Sequence, residues 1–208
     1  MSDCEIFEKI QKAKIIPVIK ISDEKKVIPL MGALKEGGFE IAEITFRTKE
    51  AAAAIKIIKK NFPEILLGAG TVLNPQMAAQ AKKAGAQFLV SPGLNLKTLI
   101  WAKKNKIPLI PGVATASEIE CALMYNLNVL KFFPAEALGG VKMLKAFKGP
   151  FSNVKFIPTG GISLENKNSY LAEKNVLAEG GSWMLKENLI QEERWQEITE
   201  LCKKSLEE

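Results

Sequence analysis

Ile41-Ala42-Glu43-Ile44-Thr45-Phe46-Arg47 is the stretch on which the fold turns. In an extended strand successive side chains alternate, so Glu43, Thr45 and Arg47 share one face while Ala42, Ile44 and Phe46 share the other. Such a strand needs two environments, helices against its apolar side and a polar lumen against its charged side. It lies within a β-rich run at 39–46, followed by a helical pattern at 49–61 and another β-rich run at 65–69, which together make a β–α–β unit.

The same alternation extends in both directions. Strands are expected at 15–20, 87–91, 108–110, 129–132, 154–157 and 176–179, with helices at 24–36, 75–84, 96–105, 116–125, 141–147 and 164–174. Ser22-Asp23-Glu24 and Ser163-Leu164-Glu165 have the composition of helix starts, and Gly37-Gly38 and Gly85 that of helix ends. About eight β–α repeats in a chain of this size read as an α/β fold, a single-domain (β/α)8 barrel spanning 1–208. An open doubly wound sheet is the alternative, because periodicity does not reveal closure.

Composition narrows the function. The 208 residues are 47% hydrophobic, enough to fill one core, and no apolar run reaches the length of a membrane span. The N-terminal Met1-Ser2-Asp3-Cys4-Glu5 has neither a basic nor an apolar leader region, so a cytoplasmic protein is expected. Cys4, Cys121 and Cys202 are widely separated and read as structural thiols. The net charge of +6 comes from scattered lysines, and the densest group, Lys56 with Lys59 and Lys60, has helical spacing. A solvated helix face explains that group better than a nucleic-acid site, so neither nucleic acid nor membrane is an expected partner. The chain has no histidine, which removes histidine-activated nucleophiles, histidine metal sites and a histidine acid or base. No metal and no cofactor are expected; Lys, Glu, Asp, Tyr, Cys or the backbone must carry the chemistry.

Strand ends are where barrel enzymes place their reactive groups. Glu43 and Arg47 would lie about 13 Å apart along their strand, the carboxylate deep and the guanidinium near the rim. That gradient suits a buried acid/base below a carboxylate-binding cation; a structural ion pair between the two is the plainer reading. Lys131 interrupts the apolar run Asn128-Val129-Leu130-Lys131-Phe132-Phe133-Pro134. Facing the lumen, its amine would feel desolvation and Arg47 favouring the neutral form and Glu43 opposing, and a neutral amine attacks ketones. A lysine snorkelling to water from a strand edge is the alternative. Gly68-Ala69-Gly70-Thr71 lacks the features of a dinucleotide fingerprint and instead presents Thr71 at a strand end. Pro158-Thr159-Gly160-Gly161 and Gly180-Gly181-Ser182-Trp183 follow the seventh and eighth expected strands, the frequent phosphate position of barrels, although either pair alone suits an ordinary turn.

Together with Ser91-Pro92-Gly93, Pro111-Gly112 and Lys131-Phe132-Phe133-Pro134-Ala135-Glu136, these motifs follow one another along nearly the whole chain. In that order they resemble the 2-keto-3-deoxy-6-phosphogluconate aldolases, a family that includes the 4-hydroxy-2-oxoglutarate aldolases. The resemblance implies a homotrimeric barrel that cleaves the phosphorylated 2-keto acid to pyruvate and glyceraldehyde 3-phosphate, an Entner-Doudoroff type of reaction. It implies Lys131 as Schiff-base lysine, Glu43 as general acid/base, and Arg47 and Thr71 as holders of the pyruvyl carboxylate. Pro92 and Phe133 would line the pocket, and Thr159, Gly160, Gly161, Gly181 and Ser182 would serve the phosphate. Glu179 departs from the family's usual small or apolar residue beside that loop, but alternation places it opposite Ala178, toward the helices. Two other functions fit parts of the pattern: an aldolase acting mainly on 4-hydroxy-2-oxoglutarate, and a non-catalytic phosphosugar-binding barrel.

Overall fold

Polar caps set the helix starts. In the computed structural model, which describes residues 2–207, Ser2 and Glu5 form a reciprocal capping box that opens α1 (Asp3–Ala13). Asn74 caps α4 (Pro75–Ala84) by accepting the Met77 N–H at 2.8 Å, and left-handed Gly85 ends that helix. Thr115 and Glu118 form a second capping box on α6 (Ala116–Met124). Asp23 caps a short 3-10 turn, Glu24–Lys26, that leads into α2 (Val27–Glu36).

The parallel strands are β1 (Ile15–Ile19), β2 (Ile41–Thr45), β3 (Leu66–Gly70), β4 (Phe88–Val90), β5 (Leu109–Ile110), β6 (Gly112–Val113), β7 (Val129–Phe132), β8 (Lys155–Pro158) and β9 (Glu179–Gly181). Hydrogen bonding divides them into a six-stranded sheet, β5-β4-β3-β2-β1-β9, and a three-stranded sheet, β6-β7-β8. The α/β class holds, with parallel strands and helical crossovers. One continuous eight-stranded ring does not form, because Pro111 interrupts the fifth strand and has no N–H to donate to a ladder. Single bridges, Phe156 with Val176 and Thr159 with Gly180, join β8 to the segment leading into β9 and to β9 itself.

Inward and outward residues separate as alternation requires. Ile19, Ala42, Ile44, Leu67, Ala69 and Leu89 pack in the cluster that includes α2, α3 (Ala51–Asn61) and α4. Ile16, Ile41, Leu66, Phe88, Ile110, Val129, Ile157 and Ala178 make a separate inner cluster, and Ile6 and Ile10 of α1 join it. The early half of the strands therefore turns apolar side chains inward. The later half turns Glu43, Thr45, Lys131 and Thr159 inward, all of them buried. The register aligns this polar layer, pairing Val18 with Glu43, Glu43 with Gly68, and Gly112 with Lys131.

Several boundaries differ from expectation. The last strand begins at Glu179 rather than Val176. The helix expected at 164–174 shrinks to α8 (Lys167–Leu171), and Ser163 does not cap it. Asn166 closes that turn instead, accepting the Ser163 N–H at 2.8 Å and donating to the Gly161 carbonyl at 3.2 Å. The remaining helices are α5 (Leu96–Lys104), α7 (Gly140–Lys148), α9 (Glu187–Gln191) and α10 (Trp195–Leu206), of which α9 and α10 lie beyond the repeats read from the sequence. α10 docks on α2, with Thr199 donating to the Ala33 carbonyl at 3.1 Å. Glycine at 37 permits this approach: a Cβ there would stand 2.3 Å from that of Cys202. Burial pushes the Cys202 thiol up to about 12, so it remains protonated at neutral pH. Among the described residues no helix is long and apolar enough to cross a membrane.

Candidate active site

β2 and β7 deliver two ionisable side chains into the interior from opposite sheets. Glu43 is 3% exposed and Lys131 7%, and the lysine Nζ lies 4.0 Å from the Glu43 Oε1. That separation is too long for a direct hydrogen bond but close enough for strong attraction where water is scarce. Glu43 Oε1 has no hydrogen-bond partner among the described residues. It has room because β3 passes it as glycine: a Cβ at Gly70 would stand 1.8 Å from that oxygen. Two readings from the sequence are thereby corrected. Lys131 does not snorkel to water, and the ion pair recorded for Glu43 is with Lys131 rather than with Arg47, which is exposed.

The surrounding residues divide by what they touch. Thr45 donates to the Ile19 carbonyl at 3.0 Å and so ties β2 to β1. Thr71, half-buried at the end of β3, has a φ of 57°, a left-handed conformation that costs a β-branched residue about 1–3 kcal/mol. Such strain persists where the surroundings enforce it, and here it fixes the direction of the threonine. The half-buried Phe133 ring has its centroid 5.0 Å from Lys131 Nζ. Pro92 is half-buried, and its carbonyl fills the space where a Cβ at Gly112 would be, 2.1 Å away.

At the other strand ends Gly160 and Gly161 have φ of 100° and 81°, so the loop after β8 turns through two consecutive left-handed residues. Their loop is fastened to the one after β7, since Thr159 and Gly160 carbonyls accept the N–H groups of Ala135 and Glu136 at 2.8 and 3.0 Å. Gly181 is occupied from above: a Cβ there would stand 1.7 Å from the Trp183 ring. Ser182 is exposed and shares a cavity of about 150 Å³ with Val18, Lys20, Asp23 and Arg47. Lys20 was absent from the residues singled out in the sequence. Its signal was a charge at the end of a strand, weak in a chain with many exposed lysines.

Glu179 lies on the wall behind this loop. It is fully buried, and neither carboxyl oxygen has a hydrogen-bond partner among the described residues. It stands opposite inward-facing Ala178 and is coupled electrostatically to Lys167 and Tyr170 of α8, as expected for the helix layer. Burial pushes its carboxyl up to about 8 from 4.5, with Lys167 opposing. Between those values the unfolded chain has released this proton and the folded chain retains it, so stability falls as pH rises through the window. Glu179→Gln is therefore expected to flatten the decline. Melting temperatures should match near pH 4.5, and that of the variant should exceed that of the parent at pH 8 by about 8–16 °C, for about 4 kcal/mol in a domain of this size. Parallel pH–melting curves for the two proteins would contradict this account.

A parallel α/β sheet that gathers a buried amine, a carboxylate and glycine-rich turns at its strand ends defines the class: a protein equipped for amine-based carbonyl chemistry. The family model for KDPG and KHG aldolase matches residues 6–201. The Escherichia coli (strain K12) KHG/KDPG aldolase is 47% identical over 93% of this chain and 91% of its own. The Haemophilus influenzae 2-dehydro-3-deoxy-phosphogluconate aldolase is 43% identical over 98% of this chain and 96% of its own. The KDPG aldolase from Legionella pneumophila, whose crystal structure holds pyruvate captured at low pH as a covalent carbinolamine intermediate, aligns with a TM-score of 0.92 at 44% identity, covering 95% of this chain and 96% of that one. This chain belongs to the KDPG and KHG aldolase family.

Proposed function

We propose that this chain is a lyase that cleaves 2-keto-3-deoxy-6-phosphogluconate to pyruvate and glyceraldehyde 3-phosphate through a Schiff base on Lys131. The observation that carries the reading is the buried Lys131–Glu43 pair, 4.0 Å apart at the strand ends. Holding two charges out of water is costly, and a packed apolar pair would serve stability as well. A phosphosugar-binding protein without chemistry has no use for it.

The unprotonated Lys131 amine adds to the C2 ketone, and loss of water gives a cationic iminium. Glu43 takes the C4 hydroxyl proton, directly or through a water; the C3–C4 bond breaks, and its electrons flow into the iminium to leave an enamine of pyruvate. The same carboxyl returns a proton to C3, and hydrolysis releases pyruvate and regenerates the lysine. Arg47 and Thr71 hold the pyruvyl carboxylate, Pro92 and Phe133 line the pocket, and Thr159, Gly160, Gly161, Gly181 and Ser182 receive the phosphate. We further propose that the two sheets act as one closed (β/α)8 barrel within a single domain, that three copies assemble, and that the enzyme works in the cytoplasm. Trapping with pyruvate and borohydride tests the chemistry directly.

A second reading, cleavage of 4-hydroxy-2-oxoglutarate to pyruvate and glyoxylate, is favoured by the E. coli relative whose name covers both substrates. Ser182→Ala separates the two. A hydrogen bond to a charged group contributes about 1.5–3 kcal/mol, so kcat/KM for the phosphorylated substrate should fall about 10–150-fold relative to that for 4-hydroxy-2-oxoglutarate. Equal losses on both would remove phosphate from the role of these loops and put the shorter substrate first.

A further inference from the structure

Lys20 stands one residue past β1, and the strand decides where it points. Ile16 belongs to the inner cluster and Ile15, Ile19 and Ile21 to the outer one, so alternation carries Val18 and Lys20 to the inner side. Pairing of Val18 with Glu43 and Ile19 with Ile44 then sets Lys20 level with Thr45 at the end of β2, two residues before Arg47 in the turn that follows. Lys20, Arg47 and Ser182 line the same cavity of about 150 Å³. Two cations on one small cavity make it attractive to a substrate that carries an anion at each end.

The charges already present do not cancel that attraction. Lys26, a third cation on the cavity, is held by the Ile190 and Gln191 carbonyls at 3.1 and 2.8 Å and lies 3.8 Å from Glu193. Asp23 is engaged as a cap, accepting the Lys25 N–H at 3.0 Å. Glu187 meets Lys20 at 3.4 Å, but these side chains are 71% and 47% exposed, so their pairing is weak and readily exchanged. Arg47 has no ion-pair partner among the described residues.

We propose that Lys20 is a specificity-determining residue: it leaves Glu187 to bind the distal phosphate of the substrate beside Ser182, while Arg47 holds the carboxylate at the other end. This rests on the aldolase reading above and adds to it a cation for the dianion. A phosphate carries nearly twice the charge of Glu187 and offers three acceptor oxygens, so it displaces the carboxylate. An unphosphorylated substrate leaves the Lys20–Glu187 pair intact.

The test is steady-state kinetics of the full chain on 2-keto-3-deoxy-6-phosphogluconate and on 2-keto-3-deoxygluconate, repeated across ionic strength. Lys20→Met should lower the preference for the phosphorylated substrate, as a ratio of kcat/KM values, about tenfold; partial exposure places it at the low end for a charge-assisted bond. The loss should fall on KM and shrink at high salt, a response that a packing defect does not give. Lys20→Arg should restore most of the preference, and Glu187→Gln should raise it about twofold by removing the competing carboxylate. An unchanged preference in Lys20→Met, or a lowered one in Glu187→Gln, overturns the proposal. Wild-type protein that fails to trap pyruvate on Lys131 would instead defeat the aldolase reading itself, so the two failures are distinguishable.

Discussion

Borohydride added in the presence of pyruvate is expected to attach one reduced pyruvyl group to Lys131, located by peptide mass mapping, and Lys131→Met is expected to abolish both the adduct and aldol cleavage. Two lysines, Lys131 and Lys167, are buried among the described residues; Lys167 lies in α8, in the helix layer, and Lys131 alone of the two projects from a strand, 4.0 Å from the Glu43 carboxylate. A thioether cannot form an imine, and losing a covalent nucleophile lowers turnover by more than about a thousandfold. The substitution also strands the Glu43 charge in the interior, which removal of one partner of a buried pair makes costly by about 3–5 kcal/mol. A melting curve is therefore needed beside the assay, and the double variant Lys131→Met/Glu43→Gln should recover part of the lost stability while remaining inactive. Labelling of a different lysine, or turnover without any adduct, would end the Lys131 assignment.

Glu43→Gln is expected to separate binding from proton transfer. Its amide cannot take or return a proton, so the pyruvate adduct should still form while hydrogen exchange at the pyruvate methyl slows by at least about a hundredfold. Proton NMR in deuterium oxide follows that exchange directly. The carboxylate oxygen nearest Lys131 has no hydrogen-bond partner among the described residues and is flanked by Gly70, which leaves it open to a hydroxyl or a water. Exchange at the parent rate would assign the proton to another group.

Chemistry was legible wherever a residue type conflicted with its surroundings. A lysine in the run Val129–Phe132 and a carboxylate in the run Ile41–Thr45 are expensive in an interior, and alternation alone gave the side to which Glu43 would turn. The Gly160-Gly161 pair marked the turn after β8 because left-handed backbone is cheap only for glycine, as its φ values bear out. Gly180 and Gly181 instead lie within β9 rather than after it, where Thr159 and the Trp183 ring take the space of a Cβ. The crossover helices from α2 to α7 follow the expected pattern, since apolar periodicity and caps are local properties. Lys20 escaped notice because its significance lies in sharing a cavity with Arg47 and Ser182, and no local pattern marks that.

By itself the sequence determined the α/β class, the inward face of the Glu43 strand and the residue types able to act without histidine, because side-chain alternation and the cost of burying charge are written residue by residue. Only the tertiary structure decided which groups meet. It turned Lys131 inward and set it 4.0 Å from Glu43 rather than leaving Glu43 with Arg47, and it left the Glu179 carboxyl without a hydrogen-bond partner among the described residues. It also divided the strands into two sheets at Pro111. The register between strands distant in the chain governs these contacts, and that register comes from packing of the inner and outer clusters together, a sum over many side chains that no single stretch contains.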